Sequence, residues 1–157
     1  MVIRKADSKD LDSIYLMGYD VWSDGNTEAE YLNECRSSLK YKRGTWYVLE
    51  QNSALLSSLI IYEFKANAFG IGSIATPERW RELGYASYLI SNVIKLLGDQ
   101  SLPAQVFLYS DINPEFYERF GFQKLPMVAQ RYKTTTCMAR GAELGDFASV
   151  DQSPEYF

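Results

Sequence analysis

The sequence contains no histidine and only two cysteines in 157 residues. Without histidine there can be no Ser-His or Cys-His nucleophile pair and no histidine-containing zinc site. Cys35 and Cys137 are too few to build an all-cysteine site, so we expect no metal cofactor. Proton transfer in this protein therefore has to use tyrosine, a carboxylate or water.

Long apolar runs are also missing from the sequence. No segment approaches the roughly 18 apolar residues that a membrane span needs. Polar sequence follows Met1–Lys5 directly, without the apolar stretch of a signal peptide. Two cysteines far apart in such a chain favour a reducing compartment. We expect a cytoplasmic protein without a membrane partner.

The formal net charge of -4 is unevenly distributed along the chain. Residues 10–35 contain seven carboxylates and no Lys or Arg, residues 36–140 carry a net charge of +5, and residues 141–157 carry -4. The basic residues are scattered rather than massed, and sequence-independent nucleic-acid binding needs a basic face. We therefore expect no nucleic-acid partner.

The length predicts one domain, residues 1–140, followed by an acidic tail, residues 141–157, that is expected to be flexible. After a short first strand, two helices are predicted, the first capped by Ser8 and the second running from Glu28 to Ser37. The remaining elements follow from apolar periodicity: strands at 45–50, 55–64 and 69–76, a helix at 86–97, a strand at 104–109, a short helix that begins at Asn113-Pro114, and strands at 122–125 and 131–138. The order β-α-α-β-β-β-α-β-α-β-β is typical of an α/β domain with a mixed sheet flanked by helices.

The most informative segment runs from Ile74 to Ala86. It places a strand end, a turn containing Arg81-x-x-Gly84-x-Ala86 and the start of a strong amphipathic helix in direct succession. Helix N-termini expose N–H groups without intrahelical acceptors and carry a partial positive charge. A glycine and a small alanine there allow a diphosphate to approach these N–H groups, so the segment predicts an anion site. The alternative is an ordinary strand-to-helix turn in which Gly84 relieves packing.

A second glycine pattern, Gly70-Ile71-Gly72-Ser73-Ile74-Ala75, formally fits the dinucleotide-binding pattern G-x-G-x-x-A. That pattern has to open a helix, whereas this run lies inside a predicted strand and precedes Thr76-Pro77. We interpret Gly70 and Gly72 instead as positions that permit a bulge or a close approach.

The turn residues resemble a known family. Arg81-x-x-Gly84-x-Ala86 is similar to the Q/R-x-x-G-x-G/A acyl-CoA pyrophosphate loop of the GNAT superfamily of N-acetyltransferases. The segment 116–122, Phe-Tyr-Glu-Arg-Phe-Gly-Phe, resembles the Y-E-K-L-G-F segment of the family's next helix. One departure is that the family often has Asn seven residues before the tyrosine, where this sequence has Ser110.

The resemblance implies a mostly antiparallel GNAT-like sheet from Val2 to about Arg140 and an acetyltransferase that uses acetyl-CoA. It implies that cofactor contacts come from the strand end, the turn and the next strand and helix: Ile74, Ala75, Thr76, Arg81, Glu82, Leu83, Gly84, Tyr85, Ala86, Ser110, Asn113 and Phe116. Asn113 has an alternative role as the cap of the short helix.

The resemblance also implies that Tyr117 supplies a proton to the departing thiolate. Its phenol has an ordinary pKa near ~10 and stays protonated at neutral pH. A lysine-like amine acceptor has to lose a proton before it attacks, and Glu63 and Asp111 are candidates for the base, directly or through water. Each is also a plausible surface or turn carboxylate.

The acid-only segment 10–35 would flank the acceptor cleft in this family. Its carboxylates favour a cationic amine, and candidate acceptor contacts are Tyr19, Trp22, Asp24 and Glu28. The alternative is two solvated helix faces. Two functions stay open: an active N-acetyltransferase, or a catalytically weak acyl-CoA-binding sensor or interaction module on the same fold. A homodimer also stays open.

Overall fold

A computed structural model describes residues 1–65, 67–98 and 104–157. These residues form a seven-stranded sheet in the order β1-β2-β3-β4-β5-β7-β6. The strands are β1 Val2–Lys5, β2 Thr45–Gln51, β3 Ala54–Lys65, β4 Ala68–Ala75, β5 Gln105–Ser110, β6 Gln123–Lys124 and β7 Thr136–Arg140. The helices are α1 Leu11–Leu16, α2 Tyr19–Trp22, α3 Glu28–Ser37, α4 Leu39–Arg43, α5 Tyr85–Gly98 and α6 Glu115–Glu118. The expected α/β class with a mostly antiparallel sheet is confirmed.

The chain divides into two compact units. The first contains residues 1–62 and 73–93, and the second contains residues 63–72 and 94–157. The elements β3, β4 and α5 each contribute residues to both units.

In the first unit, β2 pairs antiparallel with β1 and with β3. Asn52 and Ser53 connect β2 to β3 with φ angles of 52° and 63°, as a two-residue hairpin with a type I′ turn requires. The strands bury Val48, Leu49 and Leu59 completely. This apolar pattern is why the three-strand prediction for 45–76 is confirmed in outline.

The helical part of the first unit differs from the prediction at its start. Ser8 begins a 3-10 turn that Asp7 precedes, so the expected Ser8 cap is wrong. The chain then forms α1 and α2 separately, because Gly18 interrupts the helix and the Trp22 ring packs directly over it. The next helix is confirmed: α3 begins after Thr27, whose hydroxyl accepts a hydrogen bond from the Glu30 N–H.

In the second unit, β4 pairs in parallel with β5, and β7 lies antiparallel between β5 and β6. The last strand begins at Thr136 rather than at the predicted Arg131. The reason is that its partner β5 ends at Ser110, which pairs with Thr136. The Gln130 side chain bonds to the N–H and C=O of Cys137 at 2.8 and 3.0 Å and to the Leu125 C=O at 3.0 Å. Gln130 thus holds the loop before β7 against the strand.

The tail, residues 141–157, is part of the second unit and packs against its other residues. Phe147 is buried against Phe107, at 5.9 Å between ring centroids. Arg131 donates to the Ser153 carbonyl from Nε at 3.1 Å and from Nη2 at 2.8 Å. Phe157 packs against Phe64, with ring centroids 5.1 Å apart. The domain boundary at 140 and the expected flexibility of the tail stay predictions.

Asp10 anchors the start of the first unit. Arg4 Nη1 donates to Asp10 Oδ2 at 2.7 Å, and Arg4 Nε donates to Glu50 Oε2 at 2.5 Å. Asp10 is buried, and the hydrogen bonds from Arg4 hold its pKa below the ordinary value of 3.8. A carboxyl with a lowered pKa stabilises the fold above the pKa of the unfolded chain, and this contribution disappears as pH falls through the folded pKa.

The substitution Asp10→Asn should lower the free energy of unfolding by about 2 kcal/mol at neutral pH, because it leaves Arg4 without its buried partner. It should also reduce the loss of stability between neutral pH and pH below 3.8. Urea denaturation across this range measures both effects. Asp146→Asn, at an exposed tail position, is the control; equal stability of both variants would contradict the prediction.

Gly70 makes room for Phe157. A Cβ at Gly70 would lie 2.6 Å from Phe64 Cζ and 2.7 Å from Phe157 Cε2. Gly70→Ala should therefore destabilise the protein by about 1–3 kcal/mol and loosen the tail. Thermal unfolding and limited proteolysis of the tail measure this. The control is Gly145→Ala, where an added Cβ meets no atom within 4 Å; identical proteolysis of both variants would show that Phe157 does not need this space.

Candidate active site

In the first unit, the end of β4 is anchored by a buried serine. Ser57 Oγ donates to the Ala75 carbonyl at 2.9 Å and lies 3.0 Å from Thr76 Oγ1. Just before this point Ser73 has φ 45°, which interrupts the regular strand geometry. Ala75 is buried, whereas Ile74 and Thr76 are partly exposed. The strand end therefore has a defined backbone position with accessible neighbours.

The turn that follows is left-handed at two positions. Glu82 has φ 63° and Gly84 has φ 83°. An added Cβ at Gly84 would meet no atom within 4 Å, so glycine is favoured there by backbone conformation, and the space beside it is open. Glu82 and Leu83 are exposed, and Tyr85 packs edge-on against Trp80 at 6.3 Å.

Helix α5 starts immediately after this turn. The Tyr88 N–H donates to the Gly84 carbonyl at 2.9 Å, which is the first bond of the helix. The N–H groups of Tyr85, Ala86 and Ser87 precede it and have no intrahelical acceptor. They carry the positive end of the helix dipole. The first unit thus presents main-chain donors next to an open glycine, as an anion site requires.

Arg81 does not stand free beside these donors. Its Nη1 and Nη2 donate to Asp20 Oδ2 and Oδ1 at 2.6 and 2.7 Å, and its Nε donates to the Thr76 carbonyl at 3.0 Å. The guanidinium holds the pKa of Asp20 below its ordinary value. The charge of Arg81 is therefore already paired, and the side chain connects the strand end to α2.

The predicted acceptor contacts lie in and after α2. Trp22 is 43% exposed and packs over Gly18. Tyr19 donates from its hydroxyl to the Asn26 carbonyl at 2.8 Å. Asp24 and Glu28 are both exposed, and neither forms an ion pair with a described residue.

In the second unit, Ser110 and Asn113 both serve the turn between β5 and α6. Ser110 is buried, and its Oγ donates to the Ile112 carbonyl at 2.7 Å. Asn113 Oδ1 accepts from the N–H of Glu115, the first residue of α6, at 3.1 Å. These bonds account for both side chains within the turn, and their assignment to cofactor binding stays a prediction.

Tyr117 lies on α6 and is buried. Its ring meets Phe116 and Phe122 at centroid distances of 5.0 and 6.4 Å, and its hydroxyl makes no hydrogen bond to any described residue. Burial, with a smaller contribution from the Asp111 charge, raises the pKa of Tyr117 from 10.0 to about 12. The phenol is thus protonated throughout the neutral range and can donate to a ligand. Phe116 is partly exposed and lies under Arg119, at 4.2 Å.

The two candidate bases have different surroundings. Glu63 is exposed at the end of β3 and makes no ion pair with a described residue. Asp111 is exposed, and its Oδ2 accepts a hydrogen bond from the Tyr156 hydroxyl at 2.9 Å.

Each unit therefore brings together part of the predicted set. The first unit joins the strand end, the turn and the start of α5, and the second joins Ser110, Asp111, Asn113, Phe116 and Tyr117. Sequence reasoning missed Ser57 and the pairing of Asp20 with Arg81. A signal for Ser57 exists, because Ser57-Ser58 interrupts an apolar strand. Asp20 gave no signal that separated it from the other carboxylates of its segment.

Two further properties concern the described ranges as a whole. Within residues 1–65, 67–98 and 104–157, no three Cys, Asp or Glu side chains are grouped so that they could hold a metal ion. No helix in the same ranges has both the length and the apolar character to cross a bilayer.

Comparison with known proteins gives a consistent result. Among solved structures, a spermidine N-acetyltransferase chimera from Vibrio cholerae and hSSAT is similar at a TM-score of 0.68 and 15% identity, over 89% of this chain and 95% of that chain. An N-acetyltransferase from Staphylococcus aureus Mu50 is similar at a TM-score of 0.67 and 18% identity, over 88% of this chain and 100% of that chain. An N-acetylglutamate synthase from Neisseria gonorrhoeae, complexed with coenzyme A and N-acetyl-glutamate, is similar at a TM-score of 0.65 and 19% identity. The match covers 88% of this chain and 34% of that chain. At these identities the likeness shows the fold.

No curated protein matches the sequence significantly. The family described as Acetyltransferase (GNAT) domain matches residues 2–125. This match spans most of the chain and includes both segments on which the resemblance rests. The chain therefore belongs to the GNAT acetyltransferase family.

Proposed function

We propose that this protein is an N-acetyltransferase that moves the acetyl group of acetyl-CoA to a primary amine of a small molecule or peptide, by direct attack in a ternary complex. The observation that carries the proposal is the turn before α5. Its left-handed Gly84 stands beside the first N–H groups of the helix, and an added side chain there would meet open space. This geometry suits a diphosphate that binds to main-chain donors.

The pairing of Arg81 with Asp20 refines how the turn would work. Since the Arg81 charge is already balanced, the main chain of residues 82–86 supplies most of the diphosphate recognition, and Arg81 holds the turn in place. Ile74, Ala75 and Thr76 would line the pantetheine arm at the anchored strand end. Ser110, Asn113 and Phe116 complete the proposed cofactor contacts.

Tyr117 would act on the leaving sulfur. Full proton transfer in water from a phenol of pKa about 12 to a thiolate whose thiol pKa is about 8.5 is unfavourable by about 5 kcal/mol. We therefore assign to the Tyr117 hydroxyl a hydrogen bond that strengthens as the C–S bond breaks, in surroundings that also raise the thiol pKa. The amine nitrogen forms the new C–N bond and loses its proton to a base or to water.

The identity of that base stays a proposal. An amine with a pKa of ~10.4 costs about 4.6 kcal/mol to deprotonate at pH 7. Glu63 and Asp111 are both exposed, so each would work through water rather than by burial. Asp111 is also held by Tyr156.

The acceptor would be a cationic amine. The proposed contacts in the acidic segment are Tyr19, Trp22, Asp24 and Glu28. Asp20 is not among them, because its carboxylate pairs with Arg81. Cys35 and Cys137 are both buried free thiols, which fits the expected cytoplasmic location.

The direct test is turnover of acetyl-CoA by the purified protein with a panel of amines: a polyamine, an aminoglycoside, a basic peptide and glutamate. Thiol release that depends on the amine, together with an acetylated product seen by mass spectrometry, would support the proposal. Tight acetyl-CoA binding without amine-stimulated thiol release would identify instead a catalytically weak acyl-CoA-binding module.

Gly84→Ala should raise the KM for acetyl-CoA about tenfold, because an alanine at φ 83° costs roughly 1–2 kcal/mol and shifts the N–H groups that follow. The value of kcat should change less, since the reacting atoms are not touched. The matched control is Gly98→Ala at the other end of α5, where an added Cβ also meets open space and φ is not positive. Equal KM values for acetyl-CoA in the two variants would contradict a role of the turn in cofactor binding.

Tyr117→Phe should lower kcat by roughly 10²-fold while the KM for acetyl-CoA stays nearly constant, because only a group that acts on the developing thiolate is lost. In the wild type, kcat should rise with pH as the amine deprotonates and show no decline from Tyr117 ionisation until pH approaches 12. Steady-state kinetics against pH measure both effects. Tyr47→Phe is the control; if it matches Tyr117→Phe, Tyr117 has no special role.

A further inference from the structure

Three tyrosine rings meet on the second unit. Tyr109 comes from β5, Tyr132 from the loop before β7 and Tyr156 from the tail. The ring centroids are 5.6 Å apart for Tyr109 and Tyr132, 5.2 Å for Tyr109 and Tyr156, and 6.2 Å for Tyr132 and Tyr156, with interplanar angles of 70°, 48° and 84°. Tyr132 is 38% exposed and Tyr156 is 48% exposed, so ring surface is open to solvent.

A carboxylate borders these rings. Asp111 is exposed and lies just after β5, and its Oδ2 accepts a hydrogen bond from the Tyr156 hydroxyl at 2.9 Å. Asp111 forms no ion pair with any described residue. Its negative charge is therefore not balanced by a neighbouring side chain. We refer to Tyr109, Asp111, Tyr132 and Tyr156 as the tyrosine–aspartate cluster.

Main-chain bonds hold the tail part of the cluster in place. Tyr109 donates from its hydroxyl to the Pro154 carbonyl, and the Tyr156 N–H donates to the Tyr132 hydroxyl at 3.2 Å. Arg131 and Lys133 flank Tyr132 in the sequence; Lys133 is exposed, and two hydrogen bonds turn the Arg131 guanidinium toward the Ser153 carbonyl. Phe157 then packs against Tyr109, at 5.6 Å between centroids. The geometry of the cluster is thus set by four separate contacts.

We propose that the tyrosine–aspartate cluster binds an alkylammonium group, and that this group belongs to the amine acceptor. Aromatic faces attract cations through the ring quadrupole, and exposed tyrosine rings beside the carboxylate that Tyr156 contacts are a chemical match for an ammonium group. A neutral group of the same shape gains the contact but not the charge interaction. The proposal rests on the proposed acetyltransferase function for its biological meaning, while the binding itself can be tested without turnover.

The binding test uses tetramethylammonium as the probe and tert-butanol as a neutral probe of similar shape. NMR spectra of the full chain with ¹³C-labelled tyrosine rings report on Tyr109, Tyr132 and Tyr156, with sodium chloride matched for ionic strength. We expect saturable shifts of these three residues with tetramethylammonium, and much smaller shifts with tert-butanol. Equal shifts with both probes, or none with either, would overturn the proposal.

A variant series separates the ring from the carboxylate. Tyr156→Leu removes one aromatic face, Tyr156→Phe keeps it, and Asp111→Asn removes the charge. Tyr156→Leu and Asp111→Asn should each weaken tetramethylammonium binding about threefold, as expected for exposed cation–aromatic and ion-pair contacts. Tyr156→Phe should retain most of the binding. Asp146→Asn, an exposed tail carboxylate outside the cluster, should bind as the wild type does.

Turnover kinetics connect the cluster to the acceptor. For a cationic amine, Tyr156→Leu should raise the KM of the amine about threefold and leave the KM of acetyl-CoA unchanged. If Tyr156→Leu loses tetramethylammonium binding but the amine KM does not change, the cluster does not bind the acceptor during turnover. If no amine is acetylated at all, the proposed function fails while the binding result still stands or falls on its own.

Discussion

The proposed cofactor site depends on the hydrogen bonds that the Arg81 guanidinium makes. The guanidinium bonds to the Thr76 carbonyl at one side and to both carboxylate oxygens of Asp20 at the other. An exposed ion pair of this kind contributes only about 1 kcal/mol or less to stability, so its importance is geometric. It fixes where the chain enters the left-handed residues Glu82 and Gly84, and hence where the first N–H groups of α5 point.

Because the sequence has no histidine, the proposed proton donor in the second unit is a tyrosine, Tyr117. A buried tyrosine with a raised pKa is a permanent hydrogen-bond donor at neutral pH but a weak acid. Tyr117 therefore suits a reaction in which charge develops on a sulfur that is leaving, and it does not suit the removal of a proton from an amine. In the proposed mechanism, acceptor deprotonation is therefore a separate step that uses exposed carboxylates and water.

The tail combines an acidic composition with aromatic contacts. Its four carboxylates and lack of basic residues are typical of a flexible segment. In the structure Phe147 and Ser153 are buried, and Tyr156 and Phe157 both contact Tyr109 of β5. Apolar and aromatic side chains at a few positions are enough to dock such a segment, because they meet an apolar sheet face with space left by Gly70.

The sequence by itself determined the features that local chemistry controls. The capping box at Thr27 and Glu30 set the start of α3, and alternating apolar residues set β2 to β4. Residues 74–86 set the turn and the start of α5, in the pattern of the GNAT family. Tertiary structure alone decided the start of β7 opposite the end of β5, the pairing of Arg81 with Asp20 and the meeting of three tyrosines. These features join residues far apart in the chain, and one carboxylate or one tyrosine among many carries no local mark of its eventual partner.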